Sequence, residues 1–186
     1  MKTIHFTILI IFAVLLVSCN KNKDEYRYLT DTARQMAPYQ IGDTVYFLDE
    51  SGQRRMLITT EIEDSWTGAS SDLDIWLQTQ ITRLNAPSQD VYLEVVIYEN
   101  SRISASLSCD GKHYWANHLL FNSQTWGFPY NSLDSVVINN HLYFDIGIDS
   151  LPGSRHAFYY NKSHGVLKIT QEDKTVFTLD TIIFAK

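Results

Sequence analysis

The side chains of this chain that could make or break bonds are its histidines, 21 Asp and Glu residues and two cysteines, spread over 186 residues. Their spacing assembles no catalytic constellation. His113 and His118 are five apart, which on a strand sends them to opposite faces and argues against a shared zinc ion. No His-Glu-x-x-His pair and no glycine-rich phosphate loop occur. Gly68-Ala69-Ser70-Ser71-Asp72 lacks the second glycine and the following helix of a hydrolase nucleophile elbow. Asp72/Asp74 and Asp145/Asp149 do place acids on common strand faces, as a glycosidase needs. A solvated outer face accounts for them equally well in so acidic a chain. Cys109 ends the run Ile103-Ser104-Ala105-Ser106-Leu107-Ser108-Cys109, whose alternation puts the thiol on the apolar face of a strand, as a small hydrophobe. A reactive thiol would need a basic partner, and His113 is near in sequence. The expectation is a protein that is not an enzyme and uses no metal and no cofactor.

Binding is the alternative to catalysis, and for binding the aromatic residues stand out. Trp126, Phe128 and Tyr130 fall in one connection, Phe121 to Asn131, and Trp66 sits beside Ser65, Thr67 and Gly68 in a second segment that reads as irregular. Flat aromatic surfaces at the rim of a β domain stack on sugar faces or form the centre of a protein-binding patch. They can equally plug the end of the sheet packing. Trp76 shares its strand face with Asp74, Gln78 and Gln80, which suggests partial exposure.

Charge narrows the partners. A formal net charge of -6 gives no clustered basic surface for phosphate, so nucleic acid is not expected. The N-terminus says more. Met1-Lys2 is followed by an apolar run from Phe6 to Val17 and then Ser18-Cys19, the layout of a secretory signal peptide. The run is about a dozen residues, whereas a helix needs roughly twenty to cross a bilayer. Leu16-Val17-Ser18-Cys19 resembles the bacterial lipobox, in which cleavage ahead of the cysteine leaves it as the acylated first residue. That resemblance implies a protein anchored to a membrane through lipid on Cys19, a mode of attachment in which several acyl chains hold firmly. Residues 1–18 are then the signal peptide. Residues 19–40 read as a lipidated tether and linker, opening with the polar run Asn20 to Glu25. Lys23-Asp24-Glu25 resembles the charged export signals of Bacteroidota lipoproteins, which implies an outer-membrane address, with display at the cell surface or a periplasmic face both open. Asp31-Thr32-Ala33 resembles the tripeptide that these bacteria glycosylate, making Thr32 a candidate. The same tripeptide pattern recurs inside several predicted strands.

The elements that must position these residues are strands. Val91, Leu93, Val95 and Ile97 alternate with Tyr92, Glu94, Val96 and Tyr98, and Leu142, Phe144, Ile146 and Ile148 alternate with His141, Tyr143 and Asp145. Further β-rich stretches cover about 43–48, 54–61, 73–82, 112–120, 133–139, 156–160, 165–171 and 174–184. Asp110-Gly111 and Asn139-Asn140 are two-residue hairpin signals, and Asp49 to Gly52 suits a longer hairpin. One short helical turn fits Leu29 to Met36, ahead of Pro38. With about ten strands at roughly ten-residue intervals, residues 41–186 read as a single antiparallel β domain, either a sandwich or a meander barrel. The C-terminal stretch Phe158-Tyr159-Tyr160-Asn161-Lys162-Ser163-His164-Gly165, followed by an aliphatic strand, resembles a pattern in small Bacteroidota outer-membrane lipoproteins. It implies the same envelope address and no particular chemistry. The expected function is therefore a non-enzymatic binding module of the cell envelope, for a glycan or a protein. The alternatives are a structural, assembly or inhibitor-type subunit acting through a sheet edge or apolar patch, and a lipocalin-like small-ligand carrier.

Overall fold

The computed structural model describes residues 24–70, 73–88, 90–98, 102–120, 131–149, 156–172 and 174–186. Among them the chain is nearly all strand: β1 (Glu25–Arg27), β2 (Thr44–Asp49), β3 (Arg54–Ser70), β4 (Leu73–Asn85), β5 (Val91–Tyr98), β6 (Arg102–Cys109), β7 (Lys112–Leu120), β8 (Asn131–Ile138), β9 (His141–Asp149), β10 (His156–Asn161), β11 (Gly165–Gln171) and β12 (Lys174–Ile183), with one short helix, α1 (Asp31–Arg34). Alternation is the cause. Side chains along a strand point to opposite faces in turn, so a period-two sequence buries one face. β5 and β6 show it fully: Val91, Leu93, Val95 and Ile97 are buried opposite Cys109, Leu107, Ala105 and Ile103. Asp110-Gly111 (φ 48° and 76°) and Asn139-Asn140 (φ 50° and 65°) adopt positive φ at both central positions, the turn whose twist matches the flanking strands.

All the strands join one sheet in the order β7-β6-β5-β4-β3-β2-β12-β11-β10-β9-β8, every adjacent pair antiparallel, with β1 alone off that path and parallel to β4. The order is that of a meander in which β12 returns to β2. The edges of the described sheet are β7 and β8. Strand β7 lies against β9 and β10, so the sheet folds over and packs its inner faces together. Phe47, Leu57, Leu84, Phe158, Tyr160 and Leu167 are among the largest fully buried side chains.

The N-terminal segment joins this core. Leu29, Ala33, Met36 and Tyr39 are buried. Thr30 caps α1 by accepting a hydrogen bond from Ala33 N at 3.1 Å. The Tyr160 hydroxyl donates to Met36 O, and Tyr39 Oη accepts from Val166 N at 2.8 Å. The stretch 19–40, expected above as tether and linker, is therefore packed from Leu29 onward. Ala33 lies on α1 while Leu29 and Met36 flank it, and all three turn inward against the sheet despite their polar surroundings.

Strand β9 departs from its expected faces. Asp145 takes φ 54°, and the inward set passes from Tyr143 to Ile146, leaving Leu142 and Phe144 exposed. Two inward residues three apart cannot share a face of an undistorted strand; the left-handed residue between them makes the switch.

Candidate functional site

Strands β3 and β4, 17 and 13 residues long, outrun their neighbour β5, which pairs with β4 only from Thr79 to Asn85. Beyond that point β1 takes the vacated place, with Tyr26 opposite Trp76. On the other side of β4, Gly68 lies opposite Trp76 and Trp66 opposite Gln78. Residues paired across a ladder share a face, so Tyr26, Trp66 and Trp76 stand on one face of this arm, and Tyr28 joins them through its contact with Trp66. Trp66 and Trp76 are each 39% exposed, and both tyrosines are more exposed still. The Tyr26 and Tyr28 rings meet the Trp66 ring at 5.4 and 5.2 Å between centroids, both near perpendicular, the edge-to-face packing that aromatic quadrupoles favour.

A polar collar separates these rings from the core. Asp64, one ladder step further in, receives both terminal nitrogens of Arg34 from α1 at 2.8 and 2.9 Å and the Gln78 amide at 3.0 Å. Gln78 Oε1 in turn accepts from Leu29 N at 3.0 Å. Bidentate geometry fixes the orientation of α1 against the arm, while solvent exposure of the pair keeps its energetic worth small. Beyond the collar the same face continues into buried Thr82 and Leu84.

A second surface lies on the edge hairpin β8–β9. Val137 pairs with Leu142 and Ser135 with Phe144; Val137 is 65% and Phe144 59% exposed, and Leu133 and Leu142 are exposed as well. A cleft of about 410 Å³ opens beside Leu133, Phe144, Asp145 and the Asn161–Ser163 turn. Asn161 shapes that turn, accepting from His164 N at 2.8 Å and donating to Phe144 O at 3.3 Å.

The opposite ends of the strands carry charge. Arg55 reaches Asp49 at 2.9 Å, Asp90 at 3.5 Å and Asp110 at 3.6 Å, tying together three hairpin loops beside a small cleft of about 220 Å³. Cys109 borders that cleft and is buried. Burial and the adjacent Asp110 carboxylate push its thiol up to about 11, so it is protonated near neutrality and a poor nucleophile. His113 is exposed and Cys109 Sγ contacts Asp110 instead, so the strand reading of a small buried hydrophobe holds. Partial burial pushes the Asp49 carboxyl up, but hydrogen bonds from Ser51, Arg55 and Gln53 outweigh this and hold it below the usual carboxylate range. Among the described residues no group of three or more His, Cys, Asp or Glu is placed to hold a metal ion.

Of the residues singled out from sequence, Trp66 is in place at the surface, though within β3 rather than in an irregular segment. Thr32 is exposed on α1. Cys19, Trp126, Phe128 and Tyr130 lie outside the described residues. Tyr26, Tyr28 and the apolar β8–β9 face were not anticipated. The alternating Tyr26-Arg27-Tyr28 signals a short strand with both rings on one side; nothing local announces that it pairs with a strand some fifty residues away. A scan against protein-family models finds no match, and a search of curated proteins finds none either.

Proposed function

We propose that this protein is a cell-envelope lipoprotein, anchored in the outer membrane through acylated Cys19, that works as a non-enzymatic binding module for a protein partner. The observation that carries the choice of partner is the exposed apolar face of Leu133, Val137, Leu142 and Phe144 on an edge hairpin. Soluble domains blunt their sheet edges with charge, and a contiguous apolar patch at an edge serves contact with another chain. The neighbouring cleft gives a projecting side chain of that partner a place to enter. The lipocalin-like alternative finds less support, because large side chains and the Leu29–Tyr39 segment occupy the described interior. The test is cross-linking on intact cells followed by capture of the tagged, lipidated protein, run in parallel with a Val137→Ser/Phe144→Ser variant. An envelope protein recovered in near-equal amount with wild type and lost at least about tenfold with the variant supports the reading, since central apolar contacts carry about 1–2 kcal/mol or more each. Recovery indifferent to the variant refutes it. Bound polysaccharide without protein would transfer the binding role to the aromatic face around Trp66.

A further inference from the structure

We infer that the aromatic face formed by Tyr26, Tyr28, Trp66 and Trp76 seats in the headgroup region of the bilayer that carries the anchor, a step that rests on the acylation of Cys19. Reach makes the first argument. Five residues, Asn20 to Asp24, separate Cys19 from β1, and fully extended they span at most about 20 Å. Tyr26 and Tyr28 lie on or just after β1, so whatever holds Cys19 in lipid holds this face close to the membrane surface.

Composition makes the second. Tyr and Trp, with an apolar body and one polar group each, concentrate where hydrocarbon gives way to headgroups, and all four rings of the face are of these two types. Their arrangement fits a lipid surface better than a sugar. The two tyrosine rings stand at 90° and 86° to Trp66, making a wedge of edges and corners in place of an open flat platform. Behind the wedge, the Arg34–Asp64–Gln78 collar supplies polar groups at the depth where water returns. Seated this way, the arm would fix how the rest of the sheet, including the β8–β9 hairpin, is presented.

The test is hydroxyl-radical footprinting of the acylated full chain in vesicles of phosphatidylethanolamine and phosphatidylglycerol, compared with a Cys19→Ser chain in solution. Low oxidation of buried Phe47 and Tyr160 in both samples reports that both are folded, and exposed Trp115 on β7 is the internal reference. The inference expects Tyr26, Tyr28, Trp66 and Trp76 to be oxidised several-fold less on vesicles while Trp115 is unchanged. Equal oxidation of the four rings in chains that still float with the vesicles overturns it and leaves the anchor standing. Protection that extends equally to Trp115 also overturns it, since the face is then not distinguished. Cys19 found without acyl chains by mass spectrometry removes the anchoring reading and this inference together.

Discussion

Replacing Gly165 with alanine should destabilise the domain by about 2–5 kcal/mol, and two separable costs make up that figure. Gly165 begins β11 with φ 73°, a left-handed backbone conformation that a side chain makes unfavourable by about 1–2 kcal/mol. The space a side chain would take is also filled: an alanine Cβ would overlap the hydroxyl end of the Tyr39 ring, closer than real atoms approach. Tyr39 would have to move, breaking its 2.8 Å bond from Val166 N. A buried N–H left without a partner costs about 1–3 kcal/mol. For a domain of this size the total lowers Tm by roughly 4–20 °C, measurable by thermal and urea unfolding followed by circular dichroism. The two costs are told apart in a Tyr39→Leu background, where the ring is gone and Gly165→Ala should cost only the backbone share of about 1–2 kcal/mol. Strictly additive effects of the two substitutions, or a cost below about 1 kcal/mol for Gly165→Ala alone, would refute the account. The position matters beyond its own turn, because Tyr39 holds the Leu29–Tyr39 segment against the sheet.

Two further predictions concern the charged end of the sheet. Cys109, buried and with its thiol pushed up to about 11, should resist iodoacetamide at pH 8 in the folded protein and react at once in urea; rapid alkylation of the native chain, read by mass spectrometry, would contradict the buried placement. Asp49 should contribute stability that is fully present above its unfolded value of about 3.9 and is lost as pH falls through its lower folded value. Asp49→Asn should therefore cost about 1 kcal/mol near pH 7 and progressively less toward pH 3, with urea midpoints of the two chains converging; a gap that stays constant with pH would show that charge on Asp49 is not what the loop uses.

How much of this could be read from residue types depends on how local the deciding interaction is. Alternation and turn chemistry are local, so β5, β6 and the turns at Asp110-Gly111 and Asn139-Asn140 follow from a few adjacent residues and lie where expected. Strand β9 shows the limit. Its apolar positions alternate cleanly, yet one residue, Asp145, in a left-handed conformation re-aims the strand and turns Phe144 outward, and no period-two count detects that. The packing of Leu29 to Tyr39 rests on scattered apolar residues, and their polar flanks disguise the segment as tether. Trp66 could be nominated for its type alone, whereas its companions Tyr26 and Trp76 are assembled by a parallel pairing between distant segments.

The two apolar surfaces have different physical standing, and that difference orders the functional reading. Tyr26 and Tyr28 pack on the Trp66 ring and a hydrogen-bonded collar backs them, so this part of the face is already formed before any partner arrives, and little ordering entropy remains to be lost on contact. The β8–β9 face is mainly aliphatic and phenyl, with Ser135 the hydroxyl opposite Phe144, and its outer strand β8 is an edge of the described sheet whose backbone donors and acceptors can extend a ladder. A surface of Tyr and Trp tolerates the half-wet boundary of a membrane; a surface of Val, Leu and Phe gains only where water is expelled. If Cys19 is acylated as we propose, one chain carrying both would lie against a membrane through the arm and offer its edge hairpin to a protein.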